Sequence, residues 1–201
     1  MSRLTDDEKQ AMCRFVMRAS GEVTGLPPEG LCVPAAGLLV RLLRGGGELA
    51  LLQAGSASWR CVNADDDGVG FTHFSYVWEP ASAVTRAKIA AGELPELHAW
   101  VGVLNQDGSG KWLIDPTTGA WPDQLERTLG LSWRGARPPK YLWHDVAIPQ
   151  IYDCEYWPER EACLLAERKW LAWWRDFEGA FSEWSCRAGR TRDRISRSTT
   201  W

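Results

Sequence analysis

The run Val33-Pro34-Ala35-Ala36-Gly37-Leu38-Leu39-Val40-Arg41-Leu42-Leu43 is apolar almost all round a helical wheel. A helix of that kind has little face to offer water, so the rest of the chain must enclose it. Pro34 suits its first turn, where a missing N–H costs nothing. Gly45-Gly46-Gly47 ends it, and Arg41 and Arg44 lie near its C-terminal end, where the helix dipole favours cations. Cys32 therefore stands at the N-terminus of a buried helix, where the same dipole favours an anion.

The chain has 201 residues, enough to bury a core without disulfide or metal staples. That length fits one domain with a terminal extension; we place the domain at 1–150 and a Trp-rich helical extension at 151–201. With 45% apolar and 24% charged residues, the composition is that of an ordinary soluble globular protein. A net charge of -3 gives no broad basic field, which argues against nucleic acid as a main partner. The arginines between Arg187 and Arg197 read as a solvated tail. Neither a signal-type apolar run nor a membrane-length span is present in the sequence, so a cytoplasmic location without a membrane partner is expected. The six cysteines are irregularly spaced with no CxxC pair, and are expected as free thiols. Thirteen tryptophans either fill a core or line a concave binding surface.

Thr5-Asp6-Asp7-Glu8 has the form of a capping box, and Met12, Phe15, Val16 and Ala19 follow at helical spacing; the pattern predicts a helix over 5–19. Residues 21–30 read as a loop. Strands are expected at 48–54, 58–64 and 71–78, with a turn at Asp65-Asp66-Asp67-Gly68 and a short helix over 80–91. Leu97–Leu104 and Lys111–Asp115 flank a polar, glycine-bearing loop and give a hairpin signal. Beyond Trp121 the pattern weakens until Pro158, which can start a long helix. There Cys163, Leu164, Trp170, Leu171, Trp174, Phe177, Phe181 and Trp184 form one broad apolar stripe, read as packing against the domain or a second copy of the chain.

A thiol is a nucleophile only as thiolate, and a nearby imidazole stabilises that anion. On the first hairpin strand His98, Trp100, Gly102 and Leu104 share one face. If Leu104 pairs with Lys111, Trp100 faces Asp115 and His98 lies diagonal to it. A register shifted by two sets Asp115 directly opposite His98, and a slip of one puts it on the wrong face. The spacing thus permits a His98–Asp115 pair. In such a pair the carboxylate fixes the imidazole and leaves its other nitrogen for Cys32.

Gly30-Leu31-Cys32 before an apolar helix, then His98-Ala99-Trp100-Val101, then Trp112-Leu113-Ile114-Asp115-Pro116-Thr117, together resemble the core signature of the transglutaminase-like (papain-like) superfamily. The three blocks occur in the family's order over Gly30 to Thr117. The resemblance implies an α+β fold in which the cysteine helix packs on an antiparallel sheet; the helices patterned at both termini add to it. It also implies a thiol acyl-enzyme mechanism with Cys32 as nucleophile, His98 as general base and acid, and Asp115 as orienter. Residues 59–95, and those before Gly21 and after Trp121, match nothing in that signature. The expected activity is hydrolysis of a peptide or carboxamide bond in a peptide or protein substrate, with no cofactor and no metal. A non-catalytic binding module on the same fold and an arylamine-type N-acetyltransferase are the alternatives. A homodimer through the C-terminal helix is a further expectation.

An oxyanion needs two donors: the Cys32 backbone N–H is one, and Gln53 and Trp59 are candidates for the second. Asn63-x-Asp65-x-Asp67-Gly68 echoes half an EF-hand loop but has Phe74 where the bidentate acid belongs, so an acidic turn is the better reading. Zinc on Cys32, His98 and Asp115 lacks a fourth, closely spaced ligand. His73 reads as a core or edge strand residue, and His144 with Asp145 as surface polar.

Overall fold

A computed structural model describes residues 4–61, 73–148 and 152–198, with side chains as far as 179. Helix α1, Asp6–Thr24, opens on the expected capping box, Thr5 and Glu8 each bonding the other's backbone N–H. It runs a turn beyond the predicted end and stops at Gly25, whose φ of 65° is the left-handed conformation of a helix C-cap. Helix α2 is Cys32–Gly45, and Cys32 is its first residue. Every residue of the apolar run except Arg41 is buried. Arg41 instead lies 4.3 Å over the Trp174 ring, and Arg44 donates from Nε to the Ala50 carbonyl.

The two strands expected at 48–54 and 58–64 are one long strand, β1, Leu49–Arg60. Strand β2 is His73–Tyr76, helix α3 Ala83–Ala90, β3 His98–Leu104 and β4 Gly110–Asp115. Three elements unforeseen in the sequence follow: α4, Trp121–Leu129; β5, Leu142–Asp145; and β6, Cys154–Pro158. Helix α5, Arg160–Ser198, completes the described chain. The fold is α+β, with an antiparallel sheet ordered β2-β1-β3-β4-β5, and β6 also pairs with β1. The sheet crosses the boundary drawn at 150, since β6 pairs with β1.

Alternation along the strands sorts two cores. Ala50, Ala54, Ala99, Val101, Val103, Trp112 and Ile114 meet α1, α2 and α5 on one face. On the other, Ala57, Trp59, Phe74 and Leu142 pack with Trp121 and Leu125 of α4 and with Trp133. Helix α5 comes close to α2 because Gly37 has no side chain: a Cβ there would sit 2.3 Å from the Trp170 ring. The expected stripe on α5 holds for Trp170 and Phe177 but not for Leu164 and Leu171, which are 45% and 62% exposed. Ala162 and Ala166 are the buried residues at its start, since small side chains let the helix approach the sheet. Phe181 and Trp184, the acidic turn at 65–68 with its EF-hand echo, Cys186 and the arginine-rich tail fall outside the described side chains. No helix among the described residues is long and apolar enough to cross a membrane.

Candidate active site

In the β3–β4 hairpin Val101 pairs with Ile114, Gly102 with Leu113 and Val103 with Trp112. This is the first of the two registers the spacing allowed, with a bulge displacing Leu104 from Lys111 to Gly110. It sets His98, the first residue of β3, diagonal to Asp115, the last of β4, at one end of the pair. His98 Nε2 lies 2.7 Å from Asp115 Oδ2, and because a carboxylate only accepts, that nitrogen carries the proton. Both side chains are sealed from water, at 1% and 0% exposure.

The carboxylate is held at both oxygens. Asp115 Oδ1 accepts from the Thr117 backbone N–H at 2.8 Å and its hydroxyl at 2.7 Å. This is the local turn an Asp makes with the residue two ahead, and Asp115-Pro116-Thr117 announces it in the sequence. Asp115 Oδ2 accepts, beside His98, the Tyr156 hydroxyl at 2.9 Å. Tyr156 comes from β6, about forty residues on, and nothing local in the sequence points to it.

Four aromatic rings enclose the imidazole. Tyr76 stacks on it at 4.9 Å, and Trp121 meets it at 5.0 Å and nearly at right angles. Trp100 and Tyr156 stand at 6.2 and 6.1 Å. The Tyr76 hydroxyl donates to Gln124 Oε1 of α4, which pins the stacking ring. Nδ1 of His98 is buried without a well-formed hydrogen bond. Cys32 is among the groups that act electrostatically on the ring. Cys32 itself is half-buried at the first turn of α2, not sealed in apolar packing.

The electrostatics follow from this enclosure. Burial by itself would push His98 down, since it disfavours the charged ring. The Asp115 charge, its hydrogen bond and the Cys32 thiol outweigh that and raise the imidazole to about 10. Burial would likewise raise Asp115, but the His98 charge and the His98 and Thr117 donors hold its carboxyl below the usual carboxylate range. Tyr156 is pushed well up, first by burial of its hydroxyl end and then by the Asp115 charge, and it remains a donor.

The three predicted site residues thus converge. The two candidate oxyanion side chains are engaged by other partners. Trp59 is buried edge-on against Trp121 and beside Tyr152. Gln53 is laid over Gly102, with its Oε1 taken by Trp100 Nε1 at 2.8 Å. Donors remain at the start of α2, where the N–H groups of Cys32 and Val33 come before the first bond within the helix and Pro34 carries none. Among the described residues no cluster of three His, Cys, Asp or Glu side chains is placed to hold a metal ion. Of the other two histidines, His73 is exposed at the start of β2 and His144 is half-buried on β5 opposite Leu113. Among the described residues Cys13, Cys32, Cys61, Cys154 and Cys163 form no disulfide.

No protein-family model matches the chain. No curated protein is similar to it at a significant level. Among solved structures, one described as the crystal structure of genomics APC5867 superposes with a TM-score of 0.50 at 15% identity, covering 90% of this chain and 77% of that one. The likeness is one of fold.

Proposed function

We propose that the chain is a cysteine-dependent acyl-transfer enzyme on a transglutaminase-like (papain-like) core, with Cys32 as nucleophile, His98 as proton carrier and Asp115 as orienter. The observation that carries this reading is the buried His98–Asp115 bond, at 2.7 Å, whose far imidazole nitrogen has no formed hydrogen bond, with Cys32, the first residue of α2, among the groups acting on the ring. A structural histidine bonded to a buried carboxylate has no need of a thiol at its other nitrogen, nor the thiol of a helix N-terminus.

Because the ring holds its proton at neutral pH, His98 enters the reaction as imidazolium, beside a sulfur that must attack as thiolate. The Cys32 sulfur attacks the carbonyl carbon of a peptide or carboxamide, forming the S–C bond. The oxyanion that develops is met by the backbone N–H groups at the start of α2. His98 passes its proton to the departing nitrogen as the C–N bond breaks, leaving a thioester and a free amine. Now neutral, His98 takes a proton from water, whose oxygen attacks the thioester; the acid leaves and the thiolate–imidazolium pair is restored. A His98 Nδ1 without a formed hydrogen bond fits a site whose catalytic hydrogen bonds form only around substrate. The expected substrate is a peptide or protein, and the expected location is the cytoplasm.

Iodoacetamide tests this reading near neutral pH. Rapid, stoichiometric alkylation of Cys32, slowed to the rate of an ordinary thiol by His98→Ala, is the expected result. Wild-type labelling no faster than a free thiol would overturn it and leave a non-catalytic binding module on the same fold.

A further inference from the structure

We propose that Tyr156 is a positioning residue of this site, setting how tightly Asp115 grips the His98 ring; the proposal rests on the Cys32-His98-Asp115 reading above. Its hydroxyl donates to Asp115 Oδ2, the same oxygen that His98 Nε2 addresses, at 2.9 against 2.7 Å. Oδ1 is already occupied twice by Thr117. Among the described residues the carboxylate therefore has four protein donors, and Tyr156 is the one that shares an oxygen with the imidazole.

The placement of the tyrosine is built into the fold. Ala57 of β1 is paired with Tyr76 of β2 and with Tyr156 of β6, so the two tyrosines flank one residue on the face that carries His98. One stacks on the imidazole and the other bonds its carboxylate. Strand β6 can close on β1 because residue 55 is glycine: a Cβ there would lie 2.1 Å from the Trp157 carbonyl oxygen. The Tyr156 ring is wedged edge-on against Trp100 at 5.1 Å, which aims the hydroxyl.

A second donor on Oδ2 draws charge away from the His98 bond. Without it the carboxylate would hold the imidazolium more firmly, and the proton that must reach a leaving amine would be harder to release. With it, Asp115 stays fixed in plane while its grip on the ring is moderated. The hydroxyl serves as donor throughout, since burial and the Asp115 charge oppose its ionisation.

The chain has three histidines, so the His98 imidazole can be followed by NMR through a pH titration once His73 and His144 are assigned by substitution. Tyr156→Phe keeps the ring and removes the donor; the His98 midpoint is expected to rise by about one pH unit. Replacing Tyr156 with 3-fluorotyrosine keeps ring and hydroxyl and strengthens the donor, and the midpoint is expected to fall. That nearly isosteric change also covers the case in which the Phe variant fails to fold. Asp115→Asn separates the two levels of the argument. If it moves the midpoint and neither Tyr156 variant does, Tyr156 merely fills space and this proposal is overturned. If Asp115→Asn leaves the midpoint in place as well, the triad reading falls with it.

Discussion

Tyr76 lies nearly parallel to His98, with ring centroids 4.9 Å apart and planes 19° apart. An electron-rich face against a charged ring favours the charge, by about 1 to 2 kcal/mol when the pair is desolvated. Tyr76→Leu should therefore let His98 release its proton about one pH unit earlier. Tyr76→Phe, which loses only the bond to Gln124, should leave the midpoint near the wild-type value. Imidazole titration by NMR distinguishes the two. An unshifted midpoint in the leucine variant would mean that the stacking only packs.

The His98–Asp115 pair should imprint on the pH dependence of folding. His98 is raised in the folded state from 6.5 to about 10. The unfolded ring therefore loses its proton first. The stabilisation from His98 is complete below its unfolded value and drains away as pH climbs towards about 10. Asp115 is lowered, so its contribution is present above the unfolded carboxyl value of 3.8 and is lost as pH falls through the folded one. The pair thus contributes most between those two unfolded values, in mildly acid solution. Urea unfolding from pH 4 to pH 10 should show wild-type stability declining on the alkaline side. Asp115→Asn should flatten that decline. Parallel curves for the two proteins would contradict the coupling.

Much of the site was readable because it depends on short-range rules. Periodicity and a polar loop defined the hairpin, and strand alternation set His98 and Asp115 on one face. The all-round apolar run placed Cys32 at a buried helix start. What escaped notice depends on contacts distant in sequence. Tyr156 lies on a short strand whose inward face is polar-tipped and whose flank, Trp157, is exposed, so no alternation marks it. Strands 48–54 and 58–64 are expected apart, whereas in the fold β1 runs on through Gly55, where a Cβ would meet the Trp157 carbonyl of β6. On α5 the large apolar side chains dominate the sequence pattern, but Ala162 and Ala166 are buried at its start while Leu164 and Leu171 are exposed.

Thr117 offers a local control on the carboxylate. Thr117→Val removes the hydroxyl donor at 2.7 Å and keeps the backbone N–H at 2.8 Å. A hydrogen bond to a charged group is worth about 1.5 to 3 kcal/mol, so Asp115 should be less firmly ionised and oriented. Cys32 alkylation near neutral pH should slow by about tenfold, since each 1.4 kcal/mol is a decade in rate. Thr117→Ser, which retains the hydroxyl, should restore most of the rate. Equal rates in all three proteins would show that Oδ1 is indifferent to this donor.

Gly55 and Gly37 predict two differently placed injuries. A Cβ at 55 would meet the Trp157 carbonyl at 2.1 Å and the Glu159 nitrogen at 2.9 Å, both backbone atoms that cannot swing aside. Gly55→Ala must lift β6 from β1, at a cost of about 1 to 3 kcal/mol for overpacking. Because Tyr156 rides on β6, the same change should also weaken its bond to Asp115 and shift the His98 midpoint upward. A Cβ at 37 would instead meet the Trp170 ring, on the opposite face of the sheet from His98. Gly37→Ala should therefore cost similar stability, about 1 to 3 kcal/mol, while leaving the His98 titration unmoved. Calorimetric melting and imidazole NMR on the two variants check both halves. A Gly37→Ala shift in the His98 midpoint as large as that of Gly55→Ala would mean that loosening any part of the core disturbs the ring, and would remove the specific link between β6 and the site.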